Sequence, residues 1–243
     1  MNEFRPNEVA PPDSRFRIGF QEHLRSVDVD DGDLFPWRAS RDPYVVLLAE
    51  VLLQRTRGQN VANHFQRILR ELPHATRLAR AEVDEIERVI APLGLRKRAG
   101  LLKRLGAALL EEHAGFVPRS SQDLQRLPGV GPYGAGAVRC FAYGERTAIV
   151  DAGIARIIRR CLDLPTTRRV NEDPELWAIA ESLLPRRGFR RHNLALLAVA
   201  DRYCRVRPHC DPCPLRPVCR YGRKQVVVAA LGRRKLPPPM RAS

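Results

Sequence analysis

Lysine is scarce in this 243-residue chain: Lys97, Lys103, Lys224 and Lys235 are the full set, and none lies between 103 and 224. Across that interval no side-chain amine is available as a nucleophile. Apolar runs long enough to span a bilayer are also missing, which excludes a helical membrane protein. The N-terminus, MNEFRPNEVAPPDSRF, lacks the hydrophobic stretch of a secretion signal, so an intracellular, cytoplasmic protein is expected. Disulfide frameworks of secreted domains are then out of place. Internal repeats are absent too.

Arginine is plentiful instead. The formal charge is +15, which predicts attraction to a polyanion, and a 44% hydrophobic content is ample for a packed core. With no membrane-spanning segment, nucleic acid is the better fit.

The stretch LPGVGPYGAGAVRCFAYGERTAIVD, Leu127 to Asp151, is the most informative in the chain. Ser120 with Asp123 three residues on starts a short helix in capping-box fashion, and Pro128 stops it. Gly129 and Gly131 allow turn geometry closed to other residues, and Pro132 suits the first position of a second helix. A helix-hairpin-helix results. The N–H groups of Gly131, Tyr133 and Gly134 would face outward at the positive end of that second helix, where a phosphate oxygen can sit without sequence readout.

Cys204, Cys210, Cys213 and Cys219 form a C-x5-C-x2-C-x5-C array. Four thiols so close point to a shared metal or an iron–sulfur cluster. Zinc sites usually show two C-x2-C pairs with a longer insert, whereas one x2 pair between two equal loops favours a [4Fe–4S] cluster. Arg205, Arg207, Arg216, Arg220 and Arg223 surround it and predict a basic face toward DNA. Cys140 and Cys161 lie on helical apolar patterns and read as core.

Taken in this order, the hairpin and the cysteines resemble the helix-hairpin-helix DNA glycosylases that carry an iron–sulfur cluster, the superfamily of endonuclease III, MutY and Mig-type enzymes. The resemblance runs from about Leu34 to Arg220. Its motifs are FPWR at 35–38, RDPY at 41–44, EVLLQRT at 50–56, LPGVGPY at 127–133, VD at 150–151 and the four cysteines. The first cysteine interval is five residues against the family's usual six.

Breaking an N-glycosidic bond builds positive charge on the deoxyribose, so a carboxylate beside the sugar is the natural stabiliser. By resemblance Asp151 holds that position, and as the residue before an apolar helical run it also reads as a helix N-cap. Where endonuclease III-like enzymes place a Schiff-base lysine, this chain has Tyr133, which implies a monofunctional glycosylase without strong lyase activity. Glu50 is the one charge on an otherwise apolar helix started by Asp42 and Pro43. Unless paired, a carboxylate buried there would have a raised pKa and be able to donate a proton to a departing base, and the resemblance implies that a glutamate at this place contributes to catalysis. Gln54 and Arg55, and Leu95 beyond Pro92-Leu93-Gly94, match positions that wedge into the stack or face the opposite base. Trp37 is expected to pack in the core.

RDPYVVLLAEVLL, PLGLRKRAG and NLALL resemble the Mig-type thymine glycosylases, which implies double-stranded DNA with thymine or uracil opposite guanine as substrate. MutY enzymes carry GLGYY in the second wedge loop and a further C-terminal domain, whereas this chain ends 24 residues past Cys219, at Ser243. A shortened adenine glycosylase is the alternative reading, and a non-catalytic iron–sulfur DNA-binding module a remoter one. Two residues past Asp151 both subfamilies commonly have asparagine; here it is Gly153.

The expected fold class is all-α with two helical lobes and a DNA-binding cleft between them. Helical patterns at 59–72, 82–91, 98–113, 120–127 and 132–143, with the Glu50 helix, predict a six-helix barrel domain over 34–146. Residues 1–33, with a helix near Arg15–Val27, join 147–224 in a discontinuous cluster domain. The basic, acid-free segment 225–243 reads as a disordered tail. The resemblance implies a monomer associated with a bacterial or archaeal nucleoid.

Overall fold

A computed structural model describes residues 11–29, 35–94, 96–166 and 168–224. Leu95, residues 30–34 and the tail 225–243 lie outside the described residues. Among the described residues the regular structure is helical, with no strand, as the expected all-α class requires. Helix α1 (Ser14–Arg25) begins where Asp13 accepts a hydrogen bond from the Phe16 N–H at 2.7 Å, and it buries Phe20 and Leu24.

The described residues divide into two compact units, one made from those of 29–149 with 184–193, the other from those of 11–28, 150–183 and 194–224. In the first unit, α2 (Pro36–Ala39) buries Trp37 edge-on against Phe65, ring centroids 5.1 Å apart, so this tryptophan is a core residue as expected. Helix α3 (Pro43–Leu53) is capped by Asp42, whose carboxylate accepts from the Tyr44 N–H at 2.8 Å. It is apolar nearly all round and buried nearly all round. The α4 helix (Gly58–Glu71) presents Val61, Phe65 and Ile68, spaced four and three residues apart, as its buried stripe.

Helix α5 (Ala75–Arg80) has no counterpart among the expected elements. It is capped by His74, whose Nδ1 accepts from the Arg77 N–H at 3.1 Å, a residue type outside the usual capping set. Then come α6 (Val83–Ile90) and α7 (Ala99–His113), both on expected segments. Helices α5 and α7 pack closely because Gly106 has no side chain: a Cβ there would stand 2.6 Å from the Ala79 nitrogen.

Helices α8 (Ser121–Arg126) and α9 (Pro132–Ala137) flank the hairpin turn, and α9 runs on as a π turn, Val138–Ala142. Residues 184–193 also belong here, although the sequence pattern assigns them to the cluster domain. The reason is long-range bonding: Arg146 donates to the Leu184 carbonyl at 3.0 Å, and Asn193 to the Thr147 carbonyl at 3.0 Å.

The second unit holds α1, α10 (Ala152–Leu162), α11 (Pro174–Leu183) and the body of α12 (Phe189–Arg202), whose first residues belong to the other unit. Asp173 starts α11 by accepting from the Leu176 N–H at 3.1 Å. Its second oxygen pairs with Arg159 at 2.7 Å, so this buried carboxylate has both oxygens occupied.

Candidate nucleic-acid interface and catalytic residues

The hairpin forms as its residues dictate. Ser120 Oγ accepts from the Asp123 N–H at 3.0 Å and donates to the Asp123 carboxylate at 2.6 Å, and Leu124 and Leu127 are buried beneath. Gly129 has φ +81, the left-handed region that favours glycine, and a Cβ there would meet Leu101 at 2.8 Å. Gly131 differs from the expectation. Its φ of −96 and ψ of −175 are extended backbone open to any residue. What glycine provides there is space, because nothing lies within 4 Å of the position a Cβ would take. Helix α9 starts at this exposed residue without a side-chain cap, the arrangement that leaves room for an anion. A Cβ at Gly134 would stand 3.4 Å from the Val130 side chain, an ordinary contact, and Tyr133 is half-buried. Gly136 is the glycine of close packing: a Cβ would fall 2.8 Å from the Ala148 carbonyl oxygen.

Glu50, on α3, is 7% exposed among apolar neighbours. At the end of the same helix the exposed Gln54 turns its amide to the hairpin, Nε2 donating to the Gly129 carbonyl at 2.7 Å. Arg55 follows in the left-handed region with φ 58, rare for a residue with a side chain. Arg98 closes this turn from the other side. Its Nη1 donates to the Val51 and Leu52 carbonyls at 2.7 and 3.1 Å, and its Nη2 to that of Gln54. Nothing local in the sequence marks Arg98 for this task. Glu50, Gln54, Arg55, Tyr133 and the hairpin glycines all lie in the first unit, whereas Leu95 is outside the described residues.

Asp151 and the four cysteines lie in the second unit. Asp151 is the N-cap of α10: Oδ1 accepts from the Ile154 N–H at 2.7 Å, and the side chain is half-exposed behind the buried strip Ala148–Val150. Capping uses one oxygen and orients the other. The absent asparagine has a steric cause, since a Cβ on Gly153 would stand 2.8 Å from the Ala200 methyl and 3.2 Å from Asp151 Oδ1. Ala200 occupies the volume that a side chain at 153 would need.

Helix α10 also reaches the cysteine loop. Arg156 Nε donates to the Cys204 carbonyl at 2.6 Å, and Arg160 donates to the Cys204 sulfur at 3.4 Å and the Arg205 carbonyl at 2.7 Å. One turn apart, these arginines share a face, but their target is more than forty residues away and no pattern announces it. The four array cysteines are free and half-buried, and Cys219 Sγ also accepts from the Gly222 N–H at 3.3 Å. Cys161 is buried as expected, but against the array: its thiol donates to Cys219, which holds Cys161 well above its usual pKa and, with other donors, draws Cys219 down to about 6. Donors aimed at two sulfurs suit thiolate ligands to a cationic centre. No group of three or more His, Cys, Asp or Glu among the described residues is gathered tightly enough for a single metal ion. Of the arginines around the loop, Arg220 is bonded to the Leu162 carbonyl at 3.0 Å, Arg205 to that of Asp201, Arg223 to that of Pro217, and Arg216 pairs with Asp211 at 3.2 Å; Arg205, Arg207, Arg220 and Arg223 are all exposed.

The sequence profile of the HhH-GPD superfamily of base excision DNA repair proteins matches residues 48–179, from Glu50 through the hairpin and past Asp151. The chain belongs to this superfamily. Among its relatives is the thymine/uracil-DNA glycosylase of Pyrobaculum aerophilum, 37% identical over 196 residues that span 78% of this chain and 85% of that enzyme. The structure of a thermostable thymine-DNA glycosylase superposes with a TM-score of 0.77 at 33% identity, covering 86% of this chain and 96% of the other. The human adenine DNA glycosylase is 32% identical over 79% of this chain, which amounts to 37% of that larger protein.

Proposed function

We propose that this HhH-GPD protein is a monofunctional DNA glycosylase that hydrolyses the N-glycosidic bond of thymine or uracil opposite guanine in double-stranded DNA. The reading of the reaction rests on Asp151: a half-exposed carboxylate with one oxygen committed to the helix cap has the other free to face a developing sugar cation or to orient water. Glu50, buried on α3, donates a proton to the departing base, and Tyr133 lines the site where a lysine would make a lyase. Gly129, Gly131 and Gly134 approach a phosphate, and Gln54, Arg55 and Leu95 fill the space of the extracted base. The choice of base is supported by the near full-length likeness to thymine and thymine/uracil glycosylases.

Cys204, Cys210, Cys213 and Cys219 fit a [4Fe–4S] cluster, with Arg160 and the Gly222 N–H as donors to its ligand sulfurs. When bound, the cluster fixes the loop that carries Arg205 and Arg207, which supports their use on the DNA backbone. The protein acts as a monomer on nucleoid DNA.

The test is a panel of duplexes bearing T·G, U·G, A·G and A opposite 8-oxoguanine, incubated with purified protein and developed with and without alkali. Alkali-dependent breaks at T·G and U·G are the expected result. Release of adenine alone would move the chain to the adenine glycosylases, and breaks without alkali would remove monofunctionality. Duplex binding without release of any base would leave a binding module. Iron and sulfide analysis decides the cluster, zinc alone being the contrary result.

A further inference from the structure

Helices normally end by leaving carbonyls to water or by folding back through a glycine. Helix α3 does neither. At its end the Leu53 carbonyl accepts from the Thr56 N–H at 3.1 Å, while the carbonyls of Val51, Leu52 and the C-cap Gln54 all accept from one guanidinium, that of Arg98, which lies far along the chain at the foot of the Arg96–Arg98 turn. A cation at the negative end of a helix is favourable in itself. Here it also fixes a turn that local preference would not choose, with Arg55 in the left-handed region. Gln54 extends the chain of contacts to the Gly129 carbonyl of the hairpin at 2.7 Å. Burial, and after it the like charge of Arg55, lower the pKa of Arg98 from its usual value.

We propose that Arg98 is a positioning residue for base extraction: by bonding three carbonyls it locks the α3 exit turn to the Arg96–Arg98 turn, so that Gln54 and Arg55 meet the duplex already ordered. The proposal rests on the reading above, in which Gln54 and Arg55 enter the base stack. Ordering these side chains before binding removes an entropic cost that would otherwise fall on the extraction step. A planar fork with several donors is required, and a lysine ammonium, a compact point charge, cannot reproduce it.

The experiment uses the full-length, cluster-loaded protein and the variants Arg98→Ala and Arg98→Lys. Single-turnover base release from a T·G duplex, affinity for a duplex with a stable abasic analogue opposite guanine, and hydrogen exchange of residues 54–57 and 96–98 are measured together. For Arg98→Ala we expect faster exchange in both turns and release slowed at least tenfold. Affinity for the abasic duplex, where Gln54 and Arg55 still fill a gap but no base has to be drawn out of the stack, should fall by a clearly smaller factor than the release rate. Arg98→Lys should recover only part of the rate, and it carries the test if the alanine variant does not fold. Unchanged exchange would overturn the lock. Unchanged release, or an equal loss on both duplexes, would overturn its part in extraction. If the unmodified protein releases no base, the proposed function fails first, and exchange in the free and DNA-bound protein still decides the lock.

Discussion

Asp151 serves two ends with two oxygens, and its substitutions separate them. The change Asp151→Asn keeps an acceptor for the Ile154 N–H and so keeps the cap, while losing the charge. Base release should fall by about a hundredfold or more, with the melting temperature nearly unchanged. Asp151→Ala should lose activity and also about 1 kcal/mol of stability, the usual value of a cap. Single-turnover kinetics and thermal melts on the same preparations check both. Gly153 is a second point where chemistry and packing meet. Because Ala200 stands where its side chain would go, Gly153→Asn should cost about 1–3 kcal/mol by overpacking. The double variant with Ala200→Gly should recover much of that loss, and a double-mutant cycle by urea unfolding would show the two sites to be coupled. Additive costs would contradict the steric account.

Helices set the scale of the next effects. Gly106 lies inside α7, where alanine would ordinarily be better by about 1 kcal/mol. Against that preference stands the backbone of α5, with Ala79 N, Leu78 C and Ala79 Cα at 2.6, 2.8 and 2.9 Å from the added Cβ. Backbone cannot swing aside as a flexible side chain can. Gly106→Ala should therefore be destabilising by about 1–3 kcal/mol, seen as a melting temperature several degrees lower. A variant as stable as the parent would mean that α5 is free to move off α7. The hairpin shows the same logic in milder form: Gly129 meets a flexible leucine, whereas Gly136 meets a carbonyl oxygen, so alanine at 136 is the more damaging of the two by packing alone.

At the scale of the whole molecule, acid is the condition that should weaken the fold. His192 is 6% exposed, and burial, with the charge of Arg146, lowers its pKa from 6.5 to about 4. The folded protein thus stays unprotonated there while the unfolded chain takes up a proton. This contribution to stability is present above pH 6.5 and is lost as pH falls toward 4, with an upper bound of about 3 kcal/mol. Urea unfolding between about pH 7 and about pH 4.5 should show the decline, and His192→Gln should flatten it. An unchanged slope in that variant would assign the decline to other groups.

What could be read from the order of residues was whatever is decided within about one helical turn. Asp42 before Pro43, Ser120 with Asp123, Asp151 before α10 and the left-handed Gly129 all follow from side chains answering nearby backbone groups. The apolar periods of α4 and α7, and the burial of Glu50 on an all-apolar helix, were legible for the same reason. Folding over longer distances decided the rest. Helix α5 has neither a usual cap nor a long period, and it forms because α7 presents a glycine to it. Gly131 is glycine for space rather than for φ, which only the open surroundings reveal. Cys161 lies against Cys219, Arg98 ends α3, and 184–193 join the first unit through bonds to Arg146 and Thr147. The sequence by itself determined the caps, turns and helical faces, because those energies are local. Tertiary structure alone decided which distant groups meet, because that depends on packing and long-range hydrogen bonds that no neighbouring residue encodes.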